Sequence, residues 1–301
     1  MSVRRALELL RRAPFAAPVG CAEAVASVRA ASGVDFGSAR ARTGFARGHL
    51  LDVVVYLPGG RGGAHESEAG EDLVRLLLGE ELFERWIGSV VATPTVRGGL
   101  LTVINENSDE RSAVHIETLL ATVRAAIDGL KLGLTELSFD ASAEAADWFA
   151  FELEPLPAKD YAAQDDLLFC STRVPELKKS YLRAEPFFSA RFSNSGALFA
   201  YLKFQSAEPT PEGRLAERTR FEELFKRSLP GAHGGLVGLG LGLRYSYIDV
   251  ALIDPDCVTE RLLPALRAAQ ITKRSWLMFC DSELEHEFIP VYADSPPPWR
   301  G

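Results

Sequence analysis

The apolar residues of this chain occur in runs of strand length, and these runs alternate with segments that have the apolar spacing of an amphipathic helix. The clearest strand is 50–57, which is rich in valine and ends at Pro58. The clearest helix has its apolar stripe between Ile116 and Leu130. Alternation between these two periodicities predicts an α+β fold, and the glycine-bearing hairpin connections favour mainly antiparallel sheets.

The first half of the chain has the element order β-α-β-β-α-β. Its predicted elements are strand 50–57, helix 70–87, strands 89–96 and 100–104 joined at 97–99, a helix over 109–130 capped by Ser108, and strand 134–139. This order is that of the ferredoxin-like, or split βαβ, arrangement. We therefore expect a ferredoxin-like α+β domain over residues 49–160.

Residues 161–301 repeat this order less cleanly and add a helix and two strands. The predicted elements are strand 166–170, helix 175–183, a hairpin of 187–192 with 198–204, helix 211–228, strand 243–253, a further helix, and strands 276–280 and 287–292. The chain is thus expected to hold one or two ferredoxin-like units. Residues 1–48, with a short amphipathic helix over 3–12, are expected to pack on this body as a basic, helical segment.

Composition is that of a soluble globular protein. Hydrophobic residues make up 47% of the 301 residues and charged residues 25%. No apolar run approaches the stretch of about 20 residues that crosses a bilayer, so no membrane association is expected. The four cysteines are scattered and form no C-x-x-C pair, which predicts a cytoplasmic protein with neither a disulfide framework nor a metal site.

Charge is distributed unevenly along the chain. The net charge is -8, yet the first 50 residues hold eight arginines against Glu8, Glu23 and Asp35. The acidic remainder would repel phosphates, so nucleic acid is disfavoured as a partner. An acidic surface instead predicts a protein partner with a basic surface.

The candidate ligand-binding residues lie around the strand that contains Asp249. Alternation places Asp249 on one face with Tyr245 and Tyr247, and a carboxylate within an apolar strand needs a partner. The neighbouring candidates are Arg244, Gly240 and Gly242. Two interpretations stay open: a binding or acid/base site supported by the tyrosines, or a structural ion pair of Asp249 with Arg244 or Arg274.

Two glycine-rich segments lack the order of a nucleotide-binding fingerprint. Loop 59–63 lies between a strand and a helix, but no Lys-Ser/Thr ending follows, and the acidic residues after it would oppose a phosphate. Segment 234–242 precedes a strand instead of opening a helix. Bulges or the close approach of another backbone explain these glycines at least as well.

Short catalytic motifs are absent from the sequence. The histidines lack the H-E-x-x-H spacing, and no G-x-S-x-G elbow occurs. Asp281, Glu283, Glu285 and Glu287 would line one face of a regular strand while His286 would point away, which favours an exposed charged edge over a metal site. Catalytic residues and cofactors therefore stay unassigned.

Two functional hypotheses follow from these features. The first is an intracellular protein-binding or regulatory protein, of the immunity type, whose acidic surface meets a basic partner. The alternative is an enzyme that acts on a small molecule at a pocket near Tyr245, Tyr247 and Asp249. A deep pocket with convergent polar groups would favour the small molecule, and a broad patch would favour the protein partner.

Overall fold

The structure, a computed structural model, describes residues 15–94, 112–134 and 148–298. Within these ranges the chain forms seven α-helices and eleven β-strands in two sheets. All but one of the strand pairs are antiparallel, which confirms the predicted α+β class with mainly antiparallel sheets. The described residues divide into two units, one of those within 14–133 and the other of those within 134–298. None of the helices in the described ranges has the length and apolar character needed to cross a bilayer.

The first unit is a four-stranded sheet with helices. Its helices are α1 Cys21–Ser32, α2 Ala64–Leu78, α3 Glu80–Trp86 and α4 Leu119–Gly133. Its strands are β1 Arg40–Phe45, β2 Leu51–Leu57, β3 Ile87–Pro94 and β4 Val114–His115, in the sheet order β3-β2-β1-β4. Val53 and Val55 of β2 are buried, as are Leu73 and Leu77 of α2, so the apolar stripes found in the sequence form the core of this unit.

The split arrangement predicted for residues 49–160 is not formed by β2 and β3. These strands, joined by α2 and α3, are direct parallel neighbours, whereas a split βαβ unit has another strand between them. β1 pairs with the other edge of β2; the sequence interpretation missed β1 because this strand is short and polar. The following predicted features lie outside the described residues: helix 3–12, connection 97–99, strand 100–104, the Ser108 cap and most of strand 134–139.

The single helix predicted over 70–87 is two helices. The first begins earlier, at Ala64, and the two are separated at Gly79. The φ angle of Gly79 is 78°, a left-handed conformation that glycine adopts without strain. The break turns the chain so that β3 can begin at Ile87.

The second unit is built on a seven-stranded antiparallel sheet. Its strands are β5 Phe149–Glu152, β6 Leu167–Thr172, β7 Leu198–Gln205, β8 Gly234–Gly242, β9 Tyr245–Leu252, β10 Ser275–Phe279 and β11 Phe288–Pro290. Its helices are α5 Pro175–Leu182, α6 Pro211–Ser228 and α7 Leu263–Ala268, the last preceded by a π-helical turn at Val258–Leu262. The sheet order is β11-β10-β7-β9-β8-β6-β5.

The elements from β7 to β10 have a regular crossover pattern. β7 and β8 run parallel on the two sides of β9 and are joined by α6, and the chain returns through α7 to pair β10 with β7. At the start of α6 the Thr210 hydroxyl accepts a hydrogen bond from Gly213 N at 3.1 Å, and Pro211 occupies the first turn. Four central strands are thereby placed in the order β10-β7-β9-β8.

One predicted element of this unit was wrong, and one strand was missed. Segment 187–192 holds a 3-10 turn at Ser189–Arg191 instead of a strand, because Ser189 is bonded through its amide and hydroxyl to the buried Asp281. Segment 234–242 is itself strand β8, and the strand predicted over 243–253 begins at Tyr245. β8 was missed because glycine is depleted in strands.

The central strands are buried on both faces, as their unbroken apolar character predicted. Every residue of β9 is buried. One face packs against α6 and α7 through Ile248, Val250 and Phe221. The opposite face carries the β9 tyrosines and Asp249, and the chain between β5 and β7 covers it. The candidate site lies on this second face.

Candidate functional site

A cavity of about 770 Å³ opens on the second face of the seven-stranded sheet. Its walls come from the chain after β5, from α5 and the segment after it, and from β7, β9 and the end of β10. The volume falls in the range of about 300–1,000 Å³ that is usual for small-molecule sites. Of the candidate ligand-binding residues, Asp249 lines this cavity, and Glu285 from the acidic stretch after β10 lines it as well.

Asp249 belongs to a buried polar triad at the cavity floor. Lys178 Nζ on α5 lies 2.8 Å from Asp249 Oδ2, and the side chains of the pair are only 3% and 2% exposed. Lys178 Nζ also donates to Gln164 Oε1 at 2.7 Å, and Gln164 Nε2 donates to Asp249 Oδ1 at 3.1 Å. Each member of the triad is therefore held by the other two, which fixes α5 against β9.

The predicted ion pair of Asp249 with Arg244 or Arg274 was wrong. Both arginines pair instead with Asp160, through Arg274 Nη2 at 2.6 Å and Arg244 Nη1 at 3.7 Å. Alternation on β9 was correct, since Tyr245, Tyr247 and Asp249 do share a face, but spacing alone could not show which cation reaches Asp249. Lys178 is remote in sequence and sits on a short helix where a lysine is ordinarily solvated.

The two tyrosines serve a neighbouring network around Asp166 and Asp160. Asp166 is fully buried and accepts hydrogen bonds from Tyr245 N at 2.8 Å, from Arg244 N at 2.7 Å and from the Tyr247 hydroxyl. The Tyr245 hydroxyl donates to Asp160 Oδ1 at 2.6 Å. Among the described residues, Tyr245, Tyr247 and Arg244 are not part of the cavity wall. Their contacts tie the β8–β9 turn to the chain before β6.

The predicted glycines explain how these carboxylates fit. A Cβ atom added to Gly238 or Gly242 would lie within 3.0 Å of the carboxylate of Asp249 or Asp166, respectively. At Gly240 it would lie 2.7 Å from Leu167 Cδ2. Alternate positions of β8 are therefore glycine because side chains occupy the space there, whereas the sequence interpretation expected bulges or another backbone. The structure places Gly240 and Gly242 in a strand, packed against protein side chains.

Tyr201 and Cys280 line the cavity beside the triad. Tyr201 is 6% exposed, and none of the hydrogen bonds formed by the described residues involves its hydroxyl. Burial raises the pKa of the Tyr201 hydroxyl and of the Cys280 thiol well above their usual values. Both groups therefore stay protonated at neutral pH, and the Tyr201 hydroxyl, on a side chain that lines the cavity, has no hydrogen-bond partner among the described residues.

Acidic residues dominate the charge around the cavity. Among the described residues its wall contains one lysine, Lys178, and five carboxylates, Glu154, Asp165, Glu185, Asp249 and Glu285. Glu154, Asp165 and Glu285 are exposed, so they lie toward solvent, whereas Asp249 is buried. The Tyr181 hydroxyl donates to Asp165, and burial together with this bond raises the Tyr181 pKa. Because Lys178 is already paired with Asp249, the remaining field is negative.

A second buried lysine, Lys203, lies outside this cavity wall. Its Nζ donates to Tyr161 O at 2.5 Å and lies 4.3 Å from the centre of the Tyr245 ring. Burial lowers the pKa of Lys203 to about 8, although the nearby Asp166 acts in the opposite direction. Lys203 therefore titrates in a range where its effect on stability can be measured.

The other sequence motifs do not form ligand sites among the described residues. The amides of Arg61 and Gly62 donate to the Glu66 carboxylate at 3.0 and 2.6 Å, so an internal anion already occupies the loop 59–63. The acidic stretch after β10 is interrupted by a 3-10 turn at Ser282–Leu284, which destroys the strand alternation expected there. Within the described ranges, no group of three His, Cys, Asp or Glu side chains is arranged to hold a metal ion.

Comparison with known proteins gives no relative: the chain matches no protein-family model, no curated protein and no solved structure.

Proposed function

We propose that the second unit is a binding module that takes a small cationic ligand into the cavity beside Asp249. The observation that carries this proposal is the charge of the described part of the wall, where Glu154, Asp165 and Glu285 are exposed and the one lysine is itself bound by Asp249. A cation entering this space would be attracted by these carboxylates. The polar Tyr201 hydroxyl and the cavity volume support a small molecule as the occupant.

The directions in which the pKa values of the cavity-wall side chains are shifted favour ligand binding over covalent chemistry. A nucleophilic thiol needs a lowered pKa, but burial raises that of Cys280. General acid/base work at neutral pH needs a group that titrates near neutrality, and the pKa values of Tyr181 and Tyr201 are moved further away from it. The enzyme hypothesis is therefore the weaker form of the small-molecule proposal.

Three ligands of equal chain length test the sign of the required charge. Isothermal titration calorimetry would compare 1,5-diaminopentane, 1,5-pentanediol and glutarate at low ionic strength. We expect binding of the diamine alone, because only the diamine matches the negative field. Equal binding of the diol or of glutarate, or no binding of the diamine at millimolar concentration, would overturn the proposal.

A matched pair of variants locates the binding. Glu285→Gln removes a carboxylate of the cavity wall, and Glu260→Gln removes an exposed carboxylate that is not part of this wall. Both variants change the net charge of the protein equally. The proposal expects weaker diamine binding in Glu285→Gln and unchanged binding in Glu260→Gln.

A basic protein partner is a second candidate function, supported by the exposure of the carboxylates around the opening. Glu154, Asp165 and Glu285 are reachable from solvent, and the net charge is -8. A lysine or arginine side chain of an immunity-type partner would meet the same field. Native mass spectrometry of the protein purified from its own cells separates the two candidates, since it distinguishes a small bound mass from a stoichiometric protein partner.

Two further proposals accompany this function. The four cysteines are free, which supports the cytoplasmic, reducing location expected from their spacing. The strand order β10-β7-β9-β8, with α6 and α7 as crossovers, supports a ferredoxin-like unit over residues 198–279, which lies within the expected second domain of 161–301 but begins later than the order predicted from residue 166.

A further inference from the structure

We propose that the ligand of this cavity is a linear aliphatic polyamine, an inference that rests on the proposed function and narrows it. Three features carry it: the distribution of the carboxylates over the wall, the apolar side chains between them, and the unpartnered hydroxyl of Tyr201. A ligand with several ammonium groups joined by methylene chains is complementary to all three features.

The wall carboxylates come from separate segments of the chain. Three of them are exposed: Glu154 follows β5, Asp165 precedes β6 and Glu285 follows β10. A single ammonium group can pair closely with one or two of these carboxylates. Each exposed pair contributes little, because water and salt screen it. A ligand therefore gains affinity here by presenting several cationic groups at once.

Apolar side chains fill the wall between these charges. Leu153, Leu177, Phe187 and Phe279 all line the cavity. Methylene groups bury favourably against such side chains, whereas a compact, fully hydrated cation would leave them exposed to water. The combination of spaced anions and an apolar wall matches a chain of alternating methylene and ammonium groups.

The floor provides a hydrogen-bond partner for one end of the ligand. The Tyr201 side chain lines the cavity and is 6% exposed, and its hydroxyl has no hydrogen-bond partner among the described residues. A neutral hydroxyl oxygen accepts from an ammonium N–H. Lys178 would repel an ammonium group, so the buried end of the ligand is assigned to the Tyr201 side of the floor and not to the Lys178 side.

Zwitterionic amines are disfavoured by the same charges. A ligand carboxylate would be attracted by Lys178 but repelled by Asp249, which already neutralises that lysine at 2.8 Å. The other charged side chains of the described wall residues are carboxylates, which would also repel it. Lysine, which is 1,5-diaminopentane with an added carboxylate, is therefore expected to bind more weakly than the diamine.

The decisive experiment is a calorimetric series in which the number of ammonium groups rises. The full-length protein would be titrated with 1-aminobutane, 1,4-diaminobutane, spermidine and spermine, and separately with lysine and 1,5-diaminopentane. We expect the affinity to rise by about 3- to 5-fold for each ammonium group added, up to three groups. This factor follows from the free energy that an exposed ion pair contributes. This rise should become smaller as salt is added.

Variants distinguish the two ends of the ligand. Glu285→Gln should lower the affinity for spermidine by about 3- to 5-fold and leave the affinity for 1-aminobutane nearly unchanged, because it removes one of several charges. Tyr201→Phe should lower the affinity for all four amines by a similar factor, because one ammonium group of every amine binds at the Tyr201 hydroxyl. Glu260→Gln is the control of equal charge.

The outcomes separate this inference from the function on which it rests. If 1-aminobutane binds as tightly as spermidine, the polyamine inference is overturned while cation binding stands. If lysine binds as tightly as 1,5-diaminopentane, a zwitterionic ligand replaces the polyamine. If no amine binds, both proposals fail.

Discussion

Gly238 and Asp249 are cross-strand partners on β8 and β9, and the Asp249 carboxylate occupies the space where a side chain at position 238 would begin. This contact turns Asp249 toward Lys178 and the cavity floor. The glycine-rich character of β8 and the presence of a buried carboxylate on β9 are thus two aspects of one packing arrangement.

Replacing Gly238 by alanine should destabilise the second unit. The added Cβ would overlap the Asp249 carboxylate, and any movement of Asp249 would disturb the pair with Lys178. We expect a loss of about 1–3 kcal/mol in the free energy of unfolding, measured by urea denaturation. Gly129→Ala on α4, where a Cβ meets nothing within 4 Å, is the control and should be neutral or stabilising. Equal stability of Gly238→Ala and the wild type would contradict the assigned contact.

Removing one partner of the buried Lys178–Asp249 pair should lower the free energy of unfolding more than removing both partners. Lys178→Met leaves Asp249 charged and buried, and we expect a loss of about 3–5 kcal/mol. Lys178→Met combined with Asp249→Asn should recover part of this loss, since no buried charge remains. A double-mutant cycle in urea measures the coupling. Additive losses would show that the two side chains do not interact.

Lys203 should make stability rise with pH in the weakly alkaline range. Its folded pKa of about 8 lies below the ordinary value of 10.5, so the unfolded chain holds the proton between these pH values and the folded chain does not. Unfolding therefore takes up a proton there, and the free energy of unfolding increases with pH by about 3 kcal/mol at most. Below pH 8 both states are protonated, and the cost of burying the charge is constant.

The variant Lys203→Met isolates this effect. Other buried groups also titrate at high pH, so the quantity to measure is the difference in unfolding free energy between wild type and variant. This difference should change between pH 8 and 10 and stay constant between pH 6 and 7.5. A difference that does not vary with pH would show that Lys203 keeps an ordinary pKa.

Removing the Tyr201 hydroxyl should separate stability from binding. Because the hydroxyl has no hydrogen-bond partner among the described residues, Tyr201→Phe should change the free energy of unfolding by less than about 0.5 kcal/mol, or raise it. Amine affinity should fall in the same variant. Thermal unfolding and calorimetry on one preparation check both statements. A large loss of stability would indicate that the hydroxyl serves the fold.

Local patterns in the sequence were enough to find Asp249, but not its surroundings. A charged residue in an apolar strand is visible by alternation, so Asp249 and the face it shares with Tyr245 and Tyr247 could be predicted. Lys178, Gln164 and Tyr201 come from three other segments and carry no shared motif. Their meeting depends on how α5 and the chain before β6 fold over the sheet, which periodicity does not encode.

The same limit applies to the topology. The order of strands and helices predicted an α+β fold, but it could not show that β3 lies beside β2 or that β8 exists. β8 is built from glycine, leucine and one valine, and its glycines leave space for the side chains of Asp166, Tyr247 and Asp249. A local propensity cannot report such a contact.

Chemical-shift mapping during a titration with 1,4-diaminobutane tests the central claim most directly. The amide signals that move should belong to residues around the cavity, within 153–155, 163–167, 177–187 and 279–285. Signals of the 59–63 loop and of α1 should stay in place. Movement confined to other surfaces, or no saturable movement at all, would contradict the assignment of this cavity as a site for cations.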